Sequence, residues 1–309
     1  MSLLAILPPL CFIISYIATK KWLLLCKDRG LVSRDIHKRD ERLVPSIGGL
    51  PAALISTFAP FVMGFGRVLD EIIALISLTA ILQGLLDDTI FLRDSEKVLI
   101  PAISFIPLGL YLGRISILGL SIGGPLALAF VVLLGTFSAN STNTFAGFNG
   151  LEAGLSVITG SFLSMTAYLR EDDLAFLLLA SFSASYLAFL IFNFYPARTF
   201  PGNCSTFQMG AFLASISVSF GLTTPFLILM VPHGVDFLLK LLSWRKMKEK
   251  KPTKMDEKGF LVPPPHLSLV SVLLRLKKMR EWELVLCIYL FEVLLGLIAL
   301  LITFVYLPR

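Results

Sequence analysis

The sequence is poor in charge, in cysteine and in histidine, and each scarcity excludes a class of protein. Only 16% of its 309 residues are charged, 56% are hydrophobic and the mean hydropathy is +0.81, which is too apolar for a soluble globular protein of this length. Its four cysteines have no metal-type spacing and its three histidines are scattered. We therefore expect neither zinc, nor disulfides, nor a histidine-rich metal site.

What the sequence does have is a series of apolar runs, each about as long as a membrane-spanning helix, roughly 17–25 residues. The runs do not alternate apolar with polar residues, so they predict helices rather than barrel strands. The first run lacks a basic start and a cleavage site, and we interpret it as a span. Ten spans fit the pattern: 3–25, 46–64, 68–86, 98–112, 121–139, 151–168, 174–192, 207–220, 222–242 and 282–306. We predict an all-α integral membrane protein with about ten transmembrane helices, forming one polytopic domain over residues 1–309.

Basic residues are strongly biased to one side of this predicted bundle. The loops that follow the odd-numbered spans hold 20 of the 27 lysines and arginines. These loops are 27–45, 87–97, 140–150, 193–206 and 243–281. Because cytoplasmic loops carry such an excess, we predict that all five face the cytoplasm. The net charge of +6 then reflects this bias and attraction to anionic lipids, and it does not argue for nucleic acid.

Polar residues suited to chemistry gather at the same predicted side. Five clusters lie there: Asp35 and Lys38 with the SIGG turn at 46–49; Asp87 and Asp88 with Lys97; the segment NSTNTFAGFNGLEAG at 140–154; the segment 193–206; and His233 and Asp236 with Lys240. This side of the membrane was assigned from the positions of lysine and arginine alone, and yet all five clusters lie on it. The pattern therefore predicts a single site, on the cytoplasmic face.

Asp87 and Asp88 are adjacent carboxylates at the end of a predicted span. Two like charges repel each other there unless water solvates them or a cation holds them. Mg²⁺ accepts one or two carboxylates together with substrate phosphates, and Lys97 could contact a diphosphate as a point charge. From spacing alone, a solvated end of the span is an equally good interpretation.

The other clusters also leave two interpretations open. Segment 140–154 has amide oxygens for a hard cation and glycines that let the backbone approach a phosphate, yet Asn and Gly are also ordinary turn residues. His233 and Asp236 could take part in chemistry or simply form the polar end of a span. The basic run in loop 243–281 is better explained as a solvated loop than as a specific anion site. Residues 267–280 predict an amphipathic helix suited to the membrane interface.

Together these motifs resemble the polyprenyl-phosphate N-acetylhexosamine-1-phosphate transferases, an integral-membrane family of the glycosyltransferase 4 type. The resemblance covers nearly the whole chain. It rests on Asp87, Asp88 and Lys97, on N-x-x-N-x-x-x-G-x-N-G-L-E-A-G at 140–154, and on N-x-Y-P-(x)5-G-N at 193–203. NGLEAG and the ending PPPHLSLVSVLLRLKKMREWELVL are similar to the archaeal and eukaryotic enzymes that start N-glycan assembly on dolichyl phosphate.

The resemblance implies a reaction and a set of roles. A polyprenyl or dolichyl phosphate would attack the β-phosphorus of a UDP-N-acetylhexosamine, with UDP-GlcNAc as the expected donor, and UMP would leave. Mg²⁺ would be the cofactor, with Mn²⁺ as an alternative. The cytoplasmic face of an archaeal cell membrane is the implied location, and a homodimer is left open. The implied roles are catalytic for Asp87, Asp88 and Lys97, substrate-binding for Asn140, Asn149, Glu152, His233 and Asp236, and metal-binding for Asn143 and Asn203.

Two departures from the family pattern keep other hypotheses open. The family usually has an Asp that binds Mg²⁺ where this sequence has Asn203, which predicts weaker metal binding or a non-catalytic homologue. The sugar-reading His-Arg motif of eukaryotic members is replaced by PHGVDFLLK, so the roles of His233 and Asp236 follow from position only. Another UDP-N-acetylhexosamine, serving a cell-envelope glycan, is an alternative donor. A transporter is the rival from a different class, and the scarcity of charged residues deep in the spans argues against it.

Overall fold

Helices make up most of the structure, a computed structural model that describes residues 4–35, 42–64, 67–247 and 253–306. The helices are α1 (Leu7–Asp28), α2 (Leu50–Gly64), α3 (Val68–Ile90), α4 (Asp94–Leu112), α5 (Gly124–Thr144), α6 (Leu151–Leu169), α7 (Asp173–Asn193), α8 (Asn203–Ser219), α9 (Thr223–Leu229), α10 (Val231–Leu242), α11 (Trp244–Met247), α12 (Leu269–Leu276) and α13 (Glu281–Tyr306), with a 3₁₀ turn at Leu4–Ile6. Each predicted span overlaps one of these helices, except the ninth, which contains both α9 and α10.

Six helices of the described chain are long and apolar enough to cross a membrane: α1, α3, α4, α5, α7 and α13. The pair α9 and α10, bent by 54°, makes a seventh if it forms one span. Helices α2 and α8 are shorter, with 15 and 17 residues, and α6 is diluted by serine, threonine and glycine. The chain is therefore a multi-pass helical membrane protein, and the number of ten spans stays a prediction.

Three short antiparallel hairpins qualify the all-α prediction. Strand β1 (Val32–Arg34) pairs with β2 (Leu43–Pro45), β3 (Arg114–Ile117) with β4 (Leu120–Gly123), and β5 (Lys254–Met255) with β6 (Leu261–Val262). The turn between β3 and β4 consists of Leu118 and Gly119, both at positive φ. That geometry matches the twist of a two-residue hairpin. All three hairpins lie in connections between helices, so they leave the helical bundle intact.

Helix α8 lies at the centre of the bundle and is buried along nearly its whole length. Small residues let its neighbours approach closely. A Cβ at Gly84 on α3 would overlap the backbone at the start of α8, and a Cβ at Gly210 on α8 would overlap the Ser138 carbonyl on α5. Close backbone approach of this kind is how helices pack tightly in membranes. It holds the end of α3, which carries the aspartate pair, against the first turn of α8.

One acid is an exception to the expected scarcity of charge deep in the spans. Glu292, within α13, is fully buried and accepts a hydrogen bond from Thr159 Oγ1 of α6 at 2.7 Å. An ionisable group in this position is costly in hydrocarbon unless it finds a partner. The contact therefore fixes how α13 packs against α6.

The helices extend beyond the predicted spans into segments that we predicted as loops. Only residues 91–93 separate α3 from α4, so Asp87, Asp88 and Lys97 lie on helices and not in a loop 87–97. The physical reason is that backbone hydrogen bonding continues past the point where the side chains stop being apolar. Hydrophobicity alone therefore ended α3 too early and began α4 too late.

The remaining predicted loops are corrected in the same way. Helix α5 carries Asn140 and Asn143, so the loop is 145–150 rather than 140–150. Helix α8 begins at Asn203, which shortens the predicted loop 193–206 to 194–202. The amphipathic helix predicted at 267–280 is confirmed as the shorter α12, whose start is capped by Ser268.

Candidate active site

The described residues of the five predicted polar clusters meet at one end of the bundle, as we predicted, whereas Lys38 of the first cluster lies outside the described residues. Direct contacts link them: Gly48 N–H to the Phe200 carbonyl, the Asn203 N–H to Asp88, the Thr206 hydroxyl to Asn143, the Asn149 amide to Asp35, and the Lys240 ammonium to the Thr144 carbonyl. At the opposite end, Arg170 binds the Gly221 carbonyl and the β3–β4 hairpin packs against α9. The contacts thus define one candidate site, and the side of the membrane that it faces stays a prediction.

We call Asp87, Asp88, Lys97 and Asn203 the Asp87 cluster. Asp87 is only 3% exposed, and its Oδ2 lies 2.7 Å from Lys97 Nζ. The same oxygen accepts a hydrogen bond from Asn203 Nδ2 at 2.9 Å, and Oδ1 accepts one from Leu92 N–H at 3.0 Å. A buried carboxylate needs such partners to remain charged. Asp87 is therefore held in place by three different elements of the local fold.

Asp88 is held by backbone rather than by side chains. Its two carboxylate oxygens accept hydrogen bonds from the Asn203 N–H at 3.2 and 3.0 Å. This N–H begins α8, where the helix dipole favours a negative charge. Within the described chain, no side chain hydrogen-bonds to Asp88, which is half-buried. Asp88 is thus the member of the cluster whose carboxylate can still accept a substrate group or a cation.

Two side-chain amides hydrogen-bond to the backbone carbonyl of Lys97. Asn140 Nδ2 donates to the Lys97 carbonyl at 3.0 Å, and Gln83 Nε2 donates to the same oxygen at 3.1 Å. A second contact ties Asn140 to the Thr136 carbonyl of its own helix at 2.9 Å. These contacts join α5 and α3 to the first turn of α4. The structure thus shows Asn140 fixing the position of Lys97, and its predicted role in substrate binding stays a prediction.

The predicted metal ligands Asn143 and Asn203 lie close together through Thr206. The Thr206 hydroxyl donates to Asn143 Oδ1 at 2.6 Å and lies one helical turn from Asn203 on α8. In the part of the chain that the structure describes, no group of three His, Cys, Asp or Glu side chains could hold a metal. The donor set is instead the aspartate pair and two amide oxygens. These hard oxygen donors fit Mg²⁺ or Mn²⁺, which complete their coordination with water and phosphate.

Residues 145–150 form what we call the Asn149 loop, and two buried carboxylates hold its backbone. Glu152 Oε1 accepts the Gly147 N–H at 2.5 Å, and Glu281 Oε1 accepts the Asn149 N–H at 2.7 Å. Both acids are 3% exposed. These two amide groups are therefore already paired, which for them favours the turn interpretation over contact with a phosphate. The other oxygen of Glu152, Oε2, has no hydrogen-bond partner in the described chain.

The side chain of Asn149 and the end of the loop are also fixed. Asn149 Nδ2 donates to Asp35 Oδ2 at 3.2 Å, which joins the loop to the segment after β1. The hydroxyl of Tyr289, on α13, donates to the Gly150 carbonyl. The amide NH₂ of Asn149 thus has a fixed orientation, in which its oxygen is the group left for a ligand. This orientation is compatible with the predicted role of Asn149 in substrate binding.

His233 and Asp236, on α10, have different surroundings. Asp236 pairs with Lys240 Nζ at 2.7 Å and accepts the Leu269 N–H at 3.0 Å, so its carboxylate ties α10 to α12. These contacts favour the structural interpretation for Asp236. The ring of His233 meets Phe145 edge-on at 5.2 Å, and its Nδ1 has no hydrogen-bond partner in the described chain. His233 is therefore the better candidate of the two for contacting a substrate.

Two residues that matter to this geometry, Glu281 and Tyr289, were missed by the sequence analysis, whereas Lys240 was already placed in the cluster with His233 and Asp236. Glu281 and Tyr289 hold the Asn149 loop from the last helix, more than 130 residues away, and no local pattern predicts such contacts. Lys240 pairs with Asp236 and binds the Thr144 carbonyl. Its spacing of four residues from Asp236 was a usable signal, because such pairs face each other on a helix.

Comparison with known proteins gives consistent matches. A model described as "Glycosyl transferase family 4" matches residues 71–221, which include the Asp87 cluster and the Asn149 loop. The protein MJ1113 of Methanocaldococcus jannaschii, provisionally named a glycosyltransferase, is 37% identical over 276 residues, which are 88% of this chain and 87% of the relative.

Two further archaeal relatives cover more of the chain. They are provisionally named UDP-N-acetylglucosamine–dolichyl-phosphate N-acetylglucosaminephosphotransferase. The protein of Saccharolobus solfataricus is 31% identical and covers 98% of both chains. The protein of Sulfolobus acidocaldarius is 31% identical over 93% of this chain and 92% of its own. The similarity therefore extends over the helices on both sides of the family match.

Proposed function

The chain belongs to glycosyl transferase family 4, and we propose that it transfers N-acetylglucosamine-1-phosphate from UDP-GlcNAc to a polyprenyl or dolichyl phosphate. The names of its full-length relatives support this donor and this acceptor. The observation that carries the proposal is the Asp87 cluster, in which Asp88 keeps an open carboxylate beside Lys97 at the end of a membrane-type helix. A lipid phosphate and a water-soluble nucleotide can meet only at such a boundary.

In the proposed reaction, a phosphate oxygen of the lipid forms a new bond to the β-phosphorus of UDP-GlcNAc. The bond from that phosphorus to the oxygen bridging it to the α-phosphorus breaks, and UMP leaves with the bridging oxygen. Asp88 aligns the lipid phosphate and accepts its proton where one is present. Lys97 stabilises the negative charge that moves towards the leaving group, which is the main task of a phosphoryl-transfer site.

We further propose that the site is Mg²⁺-dependent and faces the cytoplasm. Asn143 and Asn203, beside Asp88, would hold the ion, and the ion would neutralise charge on the diphosphate. Asn149, Glu152 and His233 would line the pocket for the nucleotide and the sugar. The cytoplasmic orientation rests on the bias of lysine and arginine, and ten spans in a single domain would place both chain ends on the other side.

Product analysis with the purified chain in lipid nanodiscs tests this proposal. We expect UMP release only when polyprenyl phosphate, UDP-GlcNAc and Mg²⁺ are all present, with a polyprenyl-diphosphate N-acetylglucosamine seen by mass spectrometry. Asp88→Asn should lower kcat by about a thousandfold, since general-base and alignment roles are worth roughly 10²–10⁴. Asp94→Asn, an exposed acid at the start of α4, is the matched control and should retain activity.

The same assay separates the alternatives. UMP release that does not require the lipid would contradict the transferase proposal. Turnover with another UDP-N-acetylhexosamine but not with UDP-GlcNAc would keep the reaction and change the donor. UDP-GlcNAc binding by calorimetry without turnover, even at high Mg²⁺, would identify a non-catalytic homologue.

A further inference from the structure

Helices α10, α11 and α12 line an open cavity of about 520 Å³, whose lining includes none of the residues assigned to the proposed reaction. Its volume lies within the usual range for small-molecule sites, roughly 300–1,000 Å³. The residues that give it chemical character are Leu241, Leu242, Trp244, Arg245, Lys246 and Arg275. Among the described residues that line it, none is acidic. The cavity therefore combines an apolar wall with a cationic one.

The cationic wall comes from two elements that are distant in sequence. Arg245 and Lys246 lie on α11, and Arg275 lies on α12. None of the three forms an ion pair with another described residue, and the bond from Arg275 to the Pro264 carbonyl, at 3.4 Å, uses one of its five donors. Burial, with nearby Lys240 and Arg275, lowers the pKa of His266 below its usual value, although Asp236 opposes the shift. The surroundings are thus electropositive and suited to an anion.

The apolar wall is suited to a hydrocarbon chain attached to such an anion. Along α10, Leu238, Leu241 and Leu242 are 59%, 55% and 78% exposed, and Leu276 at the end of α12 is 80% exposed. The leucines give way to Trp244, Arg245 and Lys246 within one helical turn. Tryptophan and basic residues mark the level of the lipid head groups, whereas exposed leucines mark the hydrocarbon. The cavity therefore lies at the boundary between the two.

We propose that this cavity binds the phosphate of an anionic membrane phospholipid, whose acyl chain lies along the exposed leucines of α10. The sequence alone favoured a solvated basic loop in this region. The structure changes that balance because Arg275 joins Arg245 and Lys246 around one cavity. By contrast, the described residues that line the groove of about 440 Å³ between α1 and α2 include a single basic side chain, that of Lys21.

Occupation of the cavity is expected to stabilise the contact between α10 and α12. The cavity wall includes Ser243, whose Oγ accepts the Leu267 N–H at 2.8 Å. Two turns earlier, on α10, Asp236 accepts the Leu269 N–H at 3.0 Å. A ligand that joins Arg245 to Arg275 bridges the same two segments of the chain. A bound lipid should therefore raise the melting temperature as well as stay on the protein during purification.

The test measures retention of phosphatidylglycerol and phosphatidylcholine on the full-length chain by native mass spectrometry in detergent. We expect phosphatidylglycerol to be retained preferentially and to raise Tm. Arg245→Gln with Arg275→Gln should weaken its retention roughly 30-fold, because each basic residue near an anionic lipid contributes about 1 kcal/mol. The control, Lys277→Gln with Lys278→Gln, removes the same charge from exposed positions outside the cavity and should retain the lipid. Arg245→Lys with Arg275→Lys keeps the charge and should restore most retention.

Three outcomes would overturn the proposal. Equal loss in the two glutamine pairs would show a general surface charge effect rather than a site. Equal retention of both lipids by the parent chain would show that no anion is recognised. Displacement of phosphatidylglycerol by polyprenyl phosphate at equal concentration, lost in the arginine-to-glutamine pair, would assign the cavity to the acceptor lipid instead. None of these results depends on catalytic turnover, so failure here is distinguishable from failure of the proposed function.

Discussion

The Asp87 cluster contains a pair of buried or half-buried carboxylates and the Asn149 loop is held by another pair, yet the two pairs are used differently. In the Asp87 cluster, Lys97 and Asn203 contact Asp87 through side chains, and Asp88 accepts the backbone N–H of Asn203 but has no side-chain partner among the described residues and keeps room for a substrate group. Around the Asn149 loop, Glu152 on α6 and Glu281 on α13 each accept a hydrogen bond from a backbone N–H of the loop. Side chains can exchange one partner for a substrate, whereas backbone groups cannot move without rearranging the loop.

This difference divides the site into two parts. The Asp87 cluster is the chemical half, and the Asn149 loop with Glu152 and Glu281 is the positioning half. A carboxylate whose partners are exchangeable can take part in charge transfer and cation binding. A carboxylate that satisfies buried amide groups keeps a loop in one shape, because an unpaired buried N–H is costly. Changes in the first half should therefore lower kcat, and changes in the second should raise the KM for the nucleotide sugar.

The largest effect should follow from Lys97→Gln. The change removes the cation beside Asp87 and the donor proposed for the diphosphate, and we expect kcat to fall by about 10²–10³, the usual cost of one electrostatic donor. The KM for UDP-GlcNAc should change much less. Steady-state UMP release measures both constants. Arg93→Gln, which removes an exposed cation at the start of the same helix, serves as the control. Equal losses of kcat in both variants would contradict the assignment of Lys97 to the chemical half.

Glu281→Ala should act on the positioning half. It leaves the Asn149 N–H without its acceptor, a cost of about 1–3 kcal/mol, so we expect the KM for UDP-GlcNAc to rise about tenfold and the Tm to fall. The kcat at saturating donor should stay within about threefold of the parent value. Glu283→Ala changes the same charge two residues away, where the carboxylate only caps the helix start, and should leave KM near the parent value. A kcat loss as large as that of Lys97→Gln would refute the division into halves.

Tyr289→Phe should give the smallest effect of the series. It removes one hydrogen bond to the Gly150 carbonyl, worth about 1 kcal/mol, and we expect a rise in KM of about fivefold with kcat preserved. Tyr168→Phe, at a mostly exposed position on α6, is the matched control. If Tyr289→Phe and its control are indistinguishable in calorimetric binding of UDP-GlcNAc, Tyr289 does not position the loop.

Much of the fold follows from the sequence because apolar length determines where a helix can lie in a membrane. Every predicted span overlaps a helix, although six described helices, or seven with the bent pair α9 and α10, are long and apolar enough to cross a membrane. The described residues of the five polar clusters share one end. The helix ends were harder to predict, since α3 and α5 continue through polar residues such as Asp88 and Asn143. Side-chain hydrophobicity gives no signal for that continuation, because the continuation depends on backbone hydrogen bonds.

The candidate site was predictable in its members but not in their contacts. The motifs identified Asp87 and Lys97, but not that Asn203 donates its amide to Asp87, which an aspartate at this position could not do without a proton. Glu281 and Tyr289 could not be identified from the sequence, because their partners are more than 130 residues away. Tertiary contacts of this kind depend on packing that a single sequence does not encode in any local pattern.

A Mg²⁺ titration of UMP release, comparing the parent with Asn203→Asp and Glu281→Ala, tests the division of the site most directly. The Asn203→Asp change would add a third carboxylate to the Asp87 cluster in place of a donor amide, so divalent cations should bind more tightly. We predict that the half-saturating Mg²⁺ concentration falls about tenfold in Asn203→Asp, corresponding to roughly 1.4 kcal/mol, and is unchanged in Glu281→Ala. An unchanged Mg²⁺ requirement in Asn203→Asp, or an equal shift in both variants, would contradict the assignment of the metal to the Asp87 cluster.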